Sequence, residues 1–115
     1  MKIQKFKYDL DSKVSIYVPS TVNVNDPTDN KRQVLDIIRK LSTMFGGATA
    51  SDAVGGWVSE SGETVVEHVT IVYAFCKSND LNEHFEDVLQ ICETLKEEMS
   101  QEAVTLEING QCKFV

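Results

Sequence analysis

Cys76 and His84 are the residues nearest in sequence that could form a nucleophile and its base: Cys76 ends a strand-like run and His84 begins the next helix. A thiolate nucleophile needs a base within hydrogen-bonding reach and a third group that orients the base. Cys76, however, continues the alternation of an apolar strand, as a small buried side chain does. Cys92 and Cys112 fit structural positions in the same way. We therefore assign no catalytic residue, and the sequence favours a protein that is not an enzyme.

The strand segment with Glu67, His68 and Thr70 is a second candidate for chemistry. Adjacent strand residues point to opposite faces, so Glu67 cannot orient His68, whereas His68 and Thr70 share a face. The two histidines, His68 and His84, form no local motif with other metal ligands. We therefore predict no metal site and no cofactor, and we interpret His68 as a partly exposed strand residue.

The segment FGGATASDAVGGWVSESGE, Phe45 to Glu63, contains five of the six glycines and the only tryptophan, Trp57. A phosphate-binding loop places its glycines before a helix, whose N–H groups face the anion. Here the first glycine pair follows a helix and the second precedes a strand, which argues against a nucleotide phosphate loop. The pattern instead predicts a helix cap at Gly46, a bulge or kink at Gly55-Gly56 and a turn at Gly62.

One ligand hypothesis remains open for this segment. Glycine lets a flat molecule approach the backbone closely, and Trp57 beside it would provide a stacking surface. A pocket between the sheet and the Gly-rich hairpin would be lined by Asp52, Trp57, His68 and Tyr73. This hypothesis depends on whether Trp57 faces the core or the solvent.

Charge is distributed unevenly along the chain. Residues 1–40 carry eight Lys/Arg and five Asp/Glu, a balance of +3, whereas residues 41–115 carry three and thirteen, a balance of -10. This balance argues against direct nucleic-acid binding, which depends on clustered Lys/Arg at the phosphates. It is compatible with a basic protein partner. The acidic surface would consist of Glu83, Glu86, Asp87, Glu93, Glu97 and Glu98.

Length and composition indicate one globular domain. The 115 residues are 42% hydrophobic and 25% charged, which is ordinary for a single soluble domain. We expect residues 1–30 to form a strand-and-loop extension and residues 31–115 to form the core. Three cysteines without a CxxC motif indicate reduced thiols. With neither a secretory signal nor a membrane span expected, a cytoplasmic location is predicted.

Periodicity gives the order of elements. Residues 2–10 and 13–20 are strand-like and are separated by a polar turn at Asp11 to Lys13; Asp26-Pro27 would start a helix that ends at Gly46. Two short extended pieces, a strand over 64–77, a second helix over 78–101 and a hairpin at Asn109-Gly110 follow. Without its extra first and last strands this order is βαββαβ. We therefore predict an α+β, ferredoxin-like sandwich with two helices on one face of an antiparallel sheet.

Two stretches carry a family resemblance. FGGATASDAVGGWVSESGETVVEHVTIV, followed by LKEEMSQEAVTLEINGQCKFV, resembles a family of small uncharacterised single-domain proteins of bacterial genomes and mobile elements. The similarity covers about residues 34–115 and rests on FGGATA, the G-x-W strand, VxIV and QEAV. That family has no established activity, so the resemblance transfers no catalytic residue. It implies a phage or plasmid context, in which small acidic proteins often inhibit host defence proteins.

The leading expectation is therefore a non-enzymatic protein-binding domain, acting as an inhibitor through the acidic helix, with Trp57 as a further contact if it is exposed. The alternative is a small-molecule-binding or catalytic domain that uses the pocket described above. A structural homodimer, formed by packing two open sheet faces together, is the third reading.

Overall fold

The computed structural model describes residues 6–22 and 26–115 as an α+β chain. Its main strands are β1 (Ser12–Pro19), β4 (Thr49–Val58), β5 (Thr64–Cys76), β6 (Thr105–Ile108) and β7 (Gln111–Phe114). They form one antiparallel sheet in the order β4-β5-β1-β6-β7. The short strands β2 (Thr21–Val22) and β3 (Asp26–Pro27) pair with each other. The helices are α1 (Lys31–Phe45), α2 (Ser78–Glu83) and α3 (Phe85–Glu98).

One face of the sheet is covered by the helices. Val14, Ile16 and Val18 of β1 are fully buried, and Val72 of β5 pairs directly with Ile16. These side chains share a face because strand residues alternate. The helices complete the core with Val34, Ile37 and Leu41 of α1 and with Val88, Ile91, Cys92 and Leu95 of α3. The strand residues that alternate with Val14, Ile16 and Val18 therefore point to the other side of the sheet, which we call the open face.

Several sequence predictions are confirmed. Gly46 takes the left-handed conformation, with φ 94°, and its N–H donates to the Ser42 carbonyl at 2.8 Å. Asn109 and Gly110 also have positive φ, as a tight hairpin between β6 and β7 requires. The strand predicted over 64–77 is β5, which pairs with β4 on one side and β1 on the other.

The N-terminal prediction needs correction. Residues 6–10 of the predicted first strand form no strand, and its residues 2–5 lie outside the described part of the chain. The strand instead begins at Ser12, inside the predicted turn, because Asp11 accepts hydrogen bonds from both the backbone and the hydroxyl of Ser78. β1 is the middle strand of the sheet. Part of the predicted extension, residues 1–30, therefore belongs to the core that was predicted to begin at residue 31.

The start of the first helix is also different. Asp26-Pro27 forms β3, and α1 begins at Lys31, whose N–H donates to Asp29 at 2.9 Å. The Asn30 side chain donates to the carbonyl of Pro19 at 3.2 Å and to the Thr70 hydroxyl at 3.2 Å. These contacts fix the helix start against the sheet, a tertiary effect that overrides the local Asp-Pro signal.

Two further elements differ from the prediction. The two short pieces over 48–59 form the single strand β4, whose pairing with β5 is continuous from Thr49↔Tyr73 to Val58↔Thr64, so the bulge expected at Gly55-Gly56 is absent from this hairpin. The second helix is interrupted at His84, which separates α2 from α3. Within residues 6–22 and 26–115, no helix is long and apolar enough to span a membrane.

The three cysteines should differ sharply in reactivity. Cys76 and Cys92 are buried, and burial raises the pKa of both thiols, that of Cys92 to about 11. Because the thiolate is the reactive species, both should resist alkylation near pH 8, whereas Cys112 is exposed. Iodoacetamide treatment of the native protein should therefore add one group by intact mass. Two or more adducts before denaturation would contradict this assignment.

Candidate functional site

The open face carries the polar and aromatic side chains that could bind a small molecule. Tyr17 of β1 pairs with Ile71 of β5, and Glu67 and Val69 follow on the same face. Trp57 of β4 shares this face and is 49% exposed. Trp57 therefore faces the solvent side of the sheet rather than the core, as the pocket hypothesis requires.

A cavity of about 500 Å³ lies on this face beside the β4–β5 hairpin. We call it the hairpin cavity. Tyr17, Trp57 and Glu67 are in its wall together with the aliphatic side chains of Val69 and Ile71. Its volume falls within the roughly 300–1,000 Å³ that is typical of ligand sites. Aromatic rings, an apolar floor and one carboxylate suit a ligand with a flat ring system and a positive charge.

Glu67 has space around it because its cross-strand partner is Gly55. A Cβ added at Gly55 would meet nothing within 4 Å, so the missing side chain leaves an open volume beside the carboxylate. Within the described part of the chain, the Glu67 side chain has neither a hydrogen bond nor an ion pair. Its carboxylate is therefore available to a ligand.

A second carboxylate on the open face, Glu107, is already occupied. Its Oε1 accepts from the Ser15 hydroxyl at 2.8 Å, and its Oε2 accepts from the Gly110 N–H at 2.8 Å. Ser15 is 1% exposed, so this hydrogen bond is well shielded from solvent. Glu107 therefore stabilises the β6–β7 hairpin against β1. Unlike Glu67, it has a hydrogen-bond donor at each of its two carboxylate oxygens.

The other end of the open face holds an aromatic cluster. The Lys13 ammonium lies 4.7 Å from the centroid of the Tyr73 ring and 5.8 Å from that of Phe75. The two rings meet edge to face, with centroids 5.9 Å apart. This arrangement gives cation–π stabilisation and keeps Tyr73 engaged with its neighbours, away from the hairpin cavity.

The four residues predicted to line one pocket lie on both faces of the sheet. Trp57 lines the hairpin cavity, and Tyr73 borders a separate cavity near Phe45. Asp52 and His68 lie together on the side of the sheet that the helices cover, at a cavity of about 490 Å³. Asp52 accepts from the Thr70 hydroxyl at 3.3 Å. The structure thus brings Asp52 to His68, but neither of them to Trp57.

The predicted acidic surface is formed by α2 and α3, which carry Glu83, Glu86, Asp87, Glu93, Glu97 and Glu98. Three of these carboxylates have partners within the chain. Asp87 lies 3.1 Å from His84, Glu93 lies 3.3 Å from Lys96, and Glu98 lies 3.8 Å from Arg32. Part of the negative charge is therefore compensated on the helices themselves.

The cysteine and histidine candidates do not converge. Cys76 points into the core, and the His84 ring packs edge to face on Phe45 with centroids 5.8 Å apart. Among the described residues, no group of three or more His, Cys, Asp or Glu side chains is placed to hold a metal ion.

Solved structures of a phage enzyme match the whole fold. A phage SAM lyase in complex with S-methyl-5′-thioadenosine aligns with a TM-score of 0.68, and a phage SAM lyase in the apo state aligns with a TM-score of 0.69. Each alignment is 20% identical and covers 99% of this chain and 95% of the other. No family model and no curated protein matches the sequence. At this identity the comparison establishes the shared fold.

This comparison contradicts the leading expectation of a non-enzymatic inhibitor that acts through its acidic helix. The matching structures are those of an enzyme, one of them holding a small molecule. The result supports the alternative, a small-molecule-binding or catalytic domain. Sequence reasoning missed Tyr17 as a lining residue, and it considered Glu67 only as a partner for His68 and not as part of the pocket with Trp57. Strand alternation does put Glu67 on the face of Val69, Ile71 and Tyr73, and that signal could have found it.

Proposed function

We propose that this chain is an enzyme that binds S-adenosylmethionine in the hairpin cavity and cleaves it to S-methyl-5′-thioadenosine. The observation that carries the proposal is the full-length fold similarity to a SAM lyase that holds this thioether. The cavity supports it independently, since it offers what the substrate needs: aromatic rings, an apolar floor and an unpaired carboxylate.

The proposed reaction is the loss of a sulfonium leaving group without added water. The carboxylate oxygen of the substrate's own methionine portion forms a bond to Cγ, the Cγ–S bond breaks, and its electron pair goes to sulfur. The products are a neutral thioether and a five-membered lactone, and no proton has to be transferred. Such a reaction depends chiefly on holding the substrate in the conformation that brings oxygen to Cγ.

The apolar floor of the cavity fits this chemistry. A cationic sulfonium and an anionic carboxylate combine in the transition state, so charge disappears as the reaction proceeds. Removing both groups from water should therefore favour the transition state over the ground state. Val69 and Ile71 would supply this environment from β5.

Two side chains would position the substrate. Trp57 presents an exposed ring to the cavity and would stack on the adenine, a contact worth about 1–3 kcal/mol in nucleic-acid complexes. Glu67 would accept hydrogen bonds from the α-ammonium group, which needs an anionic partner in an apolar site. Tyr17 of β1 also lines the cavity.

Two finer points belong to the same proposal. The order β4-β5-β1-β6 of the sheet supports a ferredoxin-like arrangement extended by β7. The phage source of the structures that share this fold supports a mobile-element origin for the chain.

Incubation of the purified protein with S-adenosylmethionine tests the proposal. We expect S-methyl-5′-thioadenosine to accumulate in step with substrate loss, at a rate well above that of a protein-free control. Proton NMR of the four-carbon product should show the lactone before any product of its hydrolysis. Product no faster than in the control, together with unchanged Trp57 fluorescence on adding the thioether, would overturn the proposal.

A further inference from the structure

Gln101 lines the hairpin cavity, and the reaction proposed above gives its side chain no role. It follows α3 and is in the cavity wall together with Ala103 and Thr105, the first residue of β6. β6 pairs with β1 on the side away from β5, so these residues approach the cavity from the side opposite the β4–β5 hairpin. The cavity therefore has a carboxylate on β5, Glu67, and an amide beyond β1, Gln101.

The backbone of Gln101 is held by the end of α3. Ser100 has a positive φ of 50°, and its N–H donates to the Glu97 carbonyl at 3.3 Å. The Gln101 N–H donates to the Lys96 carbonyl at 3.0 Å. This pair of hydrogen bonds is the Schellman arrangement, which ends many helices. Gln101 therefore has a fixed position at the cavity, although it belongs to neither a helix nor a strand.

Two backbone carbonyls set the orientation of the Gln101 amide. Its Nε2 donates to the carbonyl of Thr21 at 2.9 Å and to that of Met99 at 3.1 Å. A primary amide nitrogen carries two protons, so both are engaged. Turning the amide over would lose both bonds and place its oxygen against two carbonyl oxygens. Oε1 is therefore the polar atom that this side chain can offer to a ligand.

The Oε1 atom of Gln101 is open to a partner. Among residues 6–22 and 26–115, no N–H or O–H group donates to it. It is not sealed in the interior either, since Gln33 supplies the one buried and unpartnered side-chain oxygen of the described residues. An amide oxygen accepts and has no proton to give, so Oε1 complements an N–H or O–H group of a ligand.

The two acceptors of the cavity differ in charge and are well separated. Glu67 is anionic, whereas the amide of Gln101 is neutral. β1 lies between β5 and β6, and neighbouring strands are about 4.8 Å apart, so the two acceptors are about 10 Å apart across the sheet. S-adenosylmethionine also has two amino groups, a charged one on its methionine portion and an uncharged one on adenine. The charged group suits the carboxylate, and the uncharged group suits the amide oxygen.

We propose that Gln101 is a specificity-determining residue, whose Oε1 accepts a hydrogen bond from the 6-amino group of adenine. This role rests on the proposed function of the cavity and adds a choice between purines. A 6-oxo purine has a carbonyl oxygen at the same position, so two acceptors would face each other. Because Thr21 and Met99 hold Nε2, the amide cannot turn to donate instead. The site therefore rejects the 6-oxo ligand.

Two thioethers that differ at position 6 of the purine test this role. S-methyl-5′-thioadenosine has the amino group, and S-methyl-5′-thioinosine has the oxo group. The wild-type protein should bind the first about tenfold more tightly, as expected for one hydrogen bond replaced by two opposed acceptors. Gln101→Met, which has a similar length and no amide, should bind both with affinities within about twofold of each other. Isothermal titration calorimetry measures the Kd values.

Gln90→Met is the matched control. Gln90 is exposed on α3 and donates to the Thr94 hydroxyl at 3.4 Å, so the same substitution is made outside the cavity. It should keep the wild-type preference. Loss of the structural bonds of Gln101 would weaken both thioethers together, so the ratio of the two Kd values reports the contact with the purine.

A spectroscopic measurement needs no substitution at the site. In ¹H–¹⁵N spectra of the wild type, we expect the side-chain amide signal of Gln101 to shift on addition of the adenosine thioether, because a hydrogen bond to Oε1 polarises the whole amide. That of Gln90 should stay in place. This readout holds even where Gln101→Met does not fold.

Three results would overturn the role of Gln101. They are equal affinity of the wild type for the two thioethers, a preference that survives in Gln101→Met, and an unmoved Gln101 amide signal at saturating adenosine thioether. Cleavage of S-adenosylmethionine is measured separately. If cleavage occurs and any of these results is obtained, the role of Gln101 fails alone, whereas absence of both cleavage and thioether binding removes the proposed function and this role with it.

Discussion

Glu67→Gln is expected to lower kcat/KM for release of S-methyl-5′-thioadenosine by about tenfold to a hundredfold, since hydrogen bonds to charged groups contribute about 1.5–3 kcal/mol. The substitution keeps the size of the side chain and removes its charge, so the ammonium group of the substrate would lose its partner in an apolar cavity. Because that ammonium is held equally before and during bond cleavage, most of the loss should fall in KM rather than kcat. Steady-state kinetics with chromatographic detection of the thioether measures both.

Glu63→Gln is the matched control for this prediction. Glu63 lies in the turn of the same hairpin, at an exposed position. Because both substitutions replace Glu with Gln, they change the net charge of the protein equally. Its kinetics should stay within about twofold of wild type, because Glu63 does not line the cavity and its charge is screened by salt. Equal losses in both variants would show that total charge matters and that Glu67 holds no substrate group. Unchanged kinetics in Glu67→Gln would remove Glu67 from the site.

The sequence allowed the architecture to be predicted further than the site. Alternation in β5 and the helical spacing in α1 and α3 correctly gave the elements, because each buries one regular stripe of side chains. The prediction that the first helix starts at Asp26-Pro27 was wrong for a physical reason. Its local capping signal is weaker than the contacts by which Asn30 fixes the helix start to Pro19 and Thr70.

The site depends on a register that the sequence alone does not contain. A one-residue bulge at Gly55-Gly56 would put Trp57 and Ala53 on opposite faces, since side chains alternate with a period of two. The continuous pairing keeps both on the open face, with Gly55 opposite Glu67. Hence Gly55, Trp57 and Glu67 line one cavity, although the sequence predicted a bulge or kink at the glycine, left the direction of the tryptophan open and considered the glutamate only beside His68.

The acidic helices show why surface charge was a poor guide to function. Glu93 and Glu98 stand near cations supplied by the neighbouring turn or by α1, which is a common way to solvate a helix face.

Substitution of Gly55 gives the sharpest test of the hairpin cavity, because it separates the site from the fold. Gly55 has no positive φ, and a Cβ there would meet nothing within 4 Å, so the backbone does not require glycine. Gly55→Val should therefore leave the melting temperature unchanged or raise it, since β-branched residues favour strands by up to about 1 kcal/mol over glycine.

Filling the space beside Glu67 and Trp57 should, in contrast, remove ligand binding. We expect Gly55→Val to raise the Kd for S-methyl-5′-thioadenosine, followed by Trp57 fluorescence, by about tenfold or more, in line with a clash of one or two methyl groups. Gly55→Ala should give a smaller loss. Gly56→Ala is the matched control, because its Cβ would point to the other face and lie 3.6 Å from the Val65 carbonyl oxygen, an ordinary contact. If Gly55→Val binds the thioether as tightly as Gly56→Ala does, the ligand lies elsewhere on the molecule.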